Sequence, residues 1–127
     1  MKPTLSYPQD SYSIINKNAE KSFWFRHRNF ILGYVVHKFL DVRPLFDIGG
    51  GVGVVAKHLQ DQGCQVTLVE PSSEAVQQAQ QRGVRKVLCG DLYSMQWPSN
   101  SISGLSFFDV LEHIENDLEV LLEAHRV

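Results

Sequence analysis

The chain is poor in the residues that would tie it to a metal, an oxidising compartment, a polyanion or a bilayer. Only two cysteines occur, Cys64 and Cys89, far apart and outside any metal-ligand spacing. That fits reduced thiols in a cytoplasmic protein, each acting as a small buried hydrophobe, and implies no metal. Neither sign of charge dominates: 12 Lys and Arg against 14 Asp and Glu leave a formal net charge of −2. No broad field is present to draw nucleic acid or anionic lipid, and neither partner is expected. Long hydrophobic runs are missing as well. The N-terminal MKPTLSYPQDSYS lacks the apolar segment of a signal peptide, and no stretch is long enough to span a bilayer. Internal repeats are absent, and the glutamines at 77, 78, 80 and 81 read as a solvated helix face.

What is present is enough for one core. With 127 residues, 43% of them apolar, the chain suits a single domain, here placed at residues 22–127 behind an arm at 1–21 that is rich in Pro, Ser, Tyr and Asn. From Ser22 to Leu40 the apolar residues Trp24, Ile31, Val35 and Phe39 form one stripe, with Phe23, Phe30 and Tyr34 beside it. That predicts a helix with a wide apolar face, closed by Pro44. An alternation follows. LFDI (45–48) predicts a buried strand, and Val52, Val55, Ala56 and Leu59 recur at helical spacing up to Gly63. QVTLVE (65–70) and KVLCGD (86–91) predict two more strands, separated by a helix that Pro71 and Ser72 open and Gly83 closes. SISGLSFFDV (101–110) contains a fourth strand, and Asn116 with Glu119 forms a capping-box signal for a last helix. Segments of this kind predict an α/β fold: a Rossmann-like parallel sheet with helices on both faces and its ligand crevice at the carboxyl end of the first strand.

Four glycines, at 49, 50, 51 and 53, fall at that point. Such a cluster is unfavourable unless the backbone must turn sharply or let a ligand approach. Two ligand classes compete. Gly51, Gly53 and Ala56 fit G-x-G-x-x-A, with Glu70 19 residues beyond Gly51, as a dinucleotide site such as that for NAD requires. The same residues also read D-I-G-G-G-V-G from Asp47. A carboxylate two residues before the glycines opposes the pyrophosphate that such a loop otherwise attracts, whereas a sulfonium nucleoside with an ammonium group tolerates it.

DIGGGVG, VTLVEPS, CGDL and FFDVLEHI, in this order and spacing, resemble the class I S-adenosylmethionine-dependent methyltransferases, and FWFRHRN resembles the lead-in of a bacterial small-molecule branch of that class. The resemblance implies S-adenosylmethionine as cofactor, S-adenosylhomocysteine as product and a small-molecule acceptor methylated by in-line displacement. It implies that Gly49, Gly50 and Gly51 let the backbone pass under the methionyl and ribose portion, with Asp47 beneath the loop. Glu70 would accept both ribose hydroxyls, Pro71 would lie near the adenine, Asp91 would accept from the adenine amino group, and Leu92 would pack on the ring. Phe107, Phe108 and Asp109 would line the methionine end. Bland readings stand beside these: Asp47 as a cap of the loop, Asp91 as an Asx-turn residue, one of Phe107 and Phe108 as core. His113 and Asp109 are the candidates for catalysis, and His113 falls where strand gives way to helix. Trp24, Arg26 and Arg28 are candidates to fold over the cofactor.

The resemblance also implies a sheet order of 3-2-1-4 and further strands beyond LLEAHRV, so the fold is expected to be truncated after strand four and the domain incomplete at its C-terminus. Strand four would then be a long apolar edge, which predicts a homo-oligomer through that edge or through the last helix. Retained cofactor affinity with weak or no catalysis is expected. Two alternatives remain at this level: an NAD-binding Rossmann module, and a noncatalytic methyltransferase-like interaction domain in which Glu70→Ala would leave partner binding intact.

Overall fold

Residues 21–39 and 44–127 are described in a computed structural model of the chain. The expected arm at 1–21 lies outside them except for Lys21, as does Leu40 at the end of the expected first helix. The elements run α1 (Phe23–Phe39), β1 (Leu45–Ile48), α2 (Val54–Asp61), β2 (Val66–Glu70), α3 (Ser73–Gln81), β3 (Val87–Cys89), β4 (Leu105–Ser106), a 3₁₀ turn (Leu111–His113) and α4 (Asp117–Arg126). The four strands form one parallel sheet in the order β3-β2-β1-β4, the expected order.

Alternation along the strands sorts the core onto two faces. Leu45, Val66 and Leu68 point to one side, where Val36 of α1, Val55, Ala56 and Leu59 of α2, and Ala79 of α3 cover them. Ile48 and Val69 point to the other, with Leu92, Val120 of α4 and Val127, and with Phe46 packed alongside. Leu59, Leu68 and Val69 are 0% exposed, and each such side chain stabilises the fold by about 1.5–3 kcal/mol. The helix signals act as read at α3, where the Ser72 hydroxyl accepts from the Ala75 N–H at 3.3 Å. At α4 they act in part: Asn116 is the N-cap but its side chain makes no capping bond. Its backbone (φ −110°, ψ 60°) departs from the extended conformation that aims an N-cap side chain at the helix.

Three expectations need correction. The apolar stripe of α1 does not face the core: Trp24, Ile31, Val35 and Phe39 are exposed, as are Phe23, Phe30 and Tyr34. The buried side is instead Asn29, Gly33 and Val36. Close approach selects that side, since the carboxamide of Gln62, which follows α2, occupies the space a Cβ at position 33 would take. Strand four is not a long apolar edge either. Only Leu105 and Ser106 pair with β1, and the extended run is over by Asp109, which has φ 55°. An edge of two residues offers few free backbone groups for a second copy. Finally, Cys89 is exposed, while Cys64 is partly buried.

Candidate functional site

The site begins where β1 runs out. Gly49 and Gly51 take positive φ, 71° and 57°, a region open to glycine at no steric cost. Gly50 is required for a different reason. A Cβ there would collide with Leu68 Cδ1 and lie 2.5 Å from Asp47 Oδ2, so the loop lies directly on the end of the sheet with the carboxylate beneath it.

Asp47 is 0% exposed. Its register partner on β4 is Ser106, whose hydroxyl donates to Oδ1 at 3.0 Å, while Oδ2 has no hydrogen-bond partner among the described residues. Burial, reinforced by the neighbouring Glu70 charge and opposed by the Ser106 hydrogen bond, raises its pKa from 3.8 to about 7. A buried carboxyl group with one bare oxygen is a costly arrangement in a folded protein unless a ligand completes it.

Asp47 and the loop residues Gly49, Gly50 and Gly51 line a cavity of about 480 Å³. Trp24, Phe25 and Arg28 reach it from α1, and Phe108, Asp109, Glu112 and His113 from the segment after β4. Arg28 joins the two sides. Its guanidinium donates to Asp109 and lies 5.2 Å and 5.1 Å from the ring centroids of Trp24 and Phe25. The ion pair is partly solvated, with Asp109 half exposed, so its contribution to stability is about 0–1 kcal/mol. Its effect is geometric, tying α1 to the far wall.

The structure thus gathers Asp47, Gly49, Gly50, Gly51, Phe108, Asp109 and His113, with Trp24 and Arg28, around one cavity. Arg26 is exposed and outside that lining. Phe107 packs into the second apolar cluster and Phe108 against the first. Glu70, Pro71, Asp91 and Leu92 also lie outside the lining, along the ends of β2 and β3. Glu70 is 1% exposed and accepts from the Gly51 N–H and the Ser72 N–H, each at 2.9 Å. Pro71 is exposed. Asp91 Oδ1 accepts from the Ser94 N–H at 2.7 Å, and the Ser94 hydroxyl accepts from the Asp91 N–H at 2.7 Å, closing a turn. Leu92 is 2% exposed, within the second cluster. Sequence reasoning missed Phe25, Ser106 and Glu112. Only the β1–β4 register reveals Ser106, whereas Glu112 stands three residues after Asp109 in the quoted FFDVLEHI.

A parallel 3-2-1-4 sheet with a glycine loop after its first strand and an acid at the end of the second is a Rossmann-like arrangement. The chain belongs to the methyltransferase domain family, which matches residues 46–127. Among solved structures it is similar to an S-adenosylmethionine-dependent methyltransferase of Thermotoga maritima, a possible histamine N-methyltransferase, with 25% identity and a TM-score of 0.64 over 91% of this chain and 55% of that one. A putative S-adenosyl-L-methionine-dependent methyltransferase of Methanococcus maripaludis has 14% identity and a TM-score of 0.79 over 99% of this chain and 61% of its own. The plantazolicin methyltransferase BpumL, solved with S-adenosylhomocysteine, has 20% identity and a TM-score of 0.63, covering 91% and 47%. The last two likenesses show the fold. The chain spans about half the length of the structures it matches. No curated protein matches it.

Proposed function

We propose that this chain is the cofactor-binding half of an S-adenosylmethionine-dependent methyltransferase that acts on a small molecule. The observation that carries the reading is Asp47, fully buried beneath a glycine loop and lining a cavity, with Oδ2 unpartnered among the described residues. That carboxylate favours a ligand bearing a sulfonium and an ammonium group and disfavours a pyrophosphate. The family match and the S-adenosylhomocysteine held by the similar BpumL support the same reading.

The residues present fit such a cofactor. The Gly49–Gly51 backbone leaves room for close approach, and Asp47 would face its positive end. Glu70, at the end of β2, is the group we assign to the ribose hydroxyls. Arg28 would turn from Asp109 to a ligand carboxylate, a pairing suited to a guanidinium. Bound here, S-adenosylmethionine supplies a methyl carbon already activated for displacement, so no proton-transfer group is obligatory. The work left to the chain is placement and exclusion of water, by Trp24, Phe25 and Phe108 around the cavity. Correct placement of two reactants is worth up to about 7–11 kcal/mol. Asp109, Glu112 and His113 line the same cavity, and we assign proton removal from an acceptor hydroxyl or amine to Asp109 or His113.

Native mass spectrometry of the protein as purified tests the reading. A retained mass equal to an S-adenosyl compound is expected; a retained dinucleotide would contradict it.

A further inference from the structure

Glu70 stands one residue beyond the last rung of the β1–β2 ladder, Ile48 against Val69. The backbone extends the pairing one step more, through the Gly49 N–H to the Val69 carbonyl at 2.7 Å. There the two chains part, β1 into the glycine loop and β2 into the turn before α3. The Glu70 side chain spans the gap. Its Oε2 accepts from the Gly51 N–H and its Oε1 from the Ser72 N–H, both at 2.9 Å. Each oxygen therefore holds a different loop, and the carboxylate is 1% exposed, so water does not compete for it.

The donors are informative. Gly51 has φ 57° and lines the cavity, a conformation that glycine leaves as easily as it enters. Ser72 is the N-cap of α3, whose first turn has N–H groups that attract a negative charge. A charged acceptor makes stronger bonds than a neutral one.

We propose that Glu70 is a positioning residue: by holding the amides of Gly51 and Ser72 it fixes the glycine loop in its ligand-ready shape, independently of any ribose hydroxyl. The inference rests on the functional reading above for its ligand, but not for the brace itself. Glu70 then governs the affinity of the methionyl end of the site as well as the ribose end.

The test uses Glu70→Gln, which keeps the side-chain length and replaces one acceptor by a donor facing a backbone N–H. Calorimetry is run with S-adenosylhomocysteine and with its 2′,3′-dideoxy analogue, and amide hydrogen exchange is measured without ligand. The substitution is expected to weaken the dideoxy analogue by about tenfold or more, and to speed exchange at Gly51 and Ser72 by a similar factor, as loss of one charge-assisted bond implies. Exchange at Leu59 and Val69 should stay at wild-type rates. Equal affinity of wild type and variant for the dideoxy analogue, with unchanged exchange at Gly51, would overturn the proposal and leave Glu70 a ribose ligand only. Should the wild type bind neither compound, the functional reading fails, and the exchange rates alone decide the brace. Should Glu70→Gln not fold, Ser72→Pro and Ser72→Ala are compared instead. Both lose the cap, but only the first loses the N–H, and faster exchange at Gly51 in the first alone is the expected result.

Discussion

The buried carboxyl group of Asp47 makes a prediction about pH. Its pKa is raised from 3.8 to about 7, chiefly by burial, so between those values the folded protein holds a proton that the unfolded chain has released. Stability therefore falls as pH rises from about 4 to about 7, and by linkage the whole difference is about 4 kcal/mol. Asp47→Asn removes the titration and still accepts from the Ser106 hydroxyl, at the expense of an unpartnered amide N–H worth about 1–3 kcal/mol. The variant is thus expected to gain on wild type by about 2–3 kcal/mol between pH 5 and pH 8, where wild type loses the rest of that difference. His58, whose pKa is lowered by burial, weakens both proteins in acid and cancels in the comparison. Urea unfolding followed by circular dichroism at pH 5, 6, 7 and 8 measures it, with unchanged m-values as the check on mechanism. A constant difference across this range would refute the reasoning, because Asp47 would then be ionised throughout.

Gly50→Ala is expected to destabilise by about 1–3 kcal/mol and to abolish ligand binding, since its methyl group would displace Leu68 or the Asp47 carboxylate; urea unfolding and a binding titration report the two effects separately. Trp24 lines the cavity, whereas Trp97 packs edge-on against Phe46 at 4.9 Å in the second cluster. A fluorescence change on titration with S-adenosylhomocysteine should therefore survive Trp97→Phe and vanish in Trp24→Phe.

The strands that carry continuous apolar runs, 45–48 and 66–70, were legible because burial on both faces leaves no polar position in them except Asp47, Thr67 and Glu70. The glycines that stop α2 and α3, Gly63 and Gly83 at φ 88° and 91°, were legible for a steric reason local to each. Other features depend on contacts between distant segments. The inward side of α1 is decided by what Gly33 meets across the interface, not by the position of its aromatics. β4 stops at Ser106 and Asp109 then turns into the left-handed region at φ 55°, which nothing in SFFDV signals. At the site, the spacing of Asp47 and Glu70 around the glycines was plain, but their states were not. Glu70 reads as an acceptor awaiting a ligand, and the fold has already given both its oxygens backbone donors. Asp47 reads as a fixed negative charge, and burial makes it half ionised near neutrality, so its opposition to a pyrophosphate is complete only above about pH 7.

The central claim is that the cavity lined by Gly49–Gly51 takes a sulfonium nucleoside. Calorimetric titration of the protein at pH 8 with S-adenosylhomocysteine and, separately, with NADH tests it most directly. Saturable binding of the first, lost in Gly50→Ala, and none of the second are expected; binding of NADH alone would contradict that assignment of the cavity.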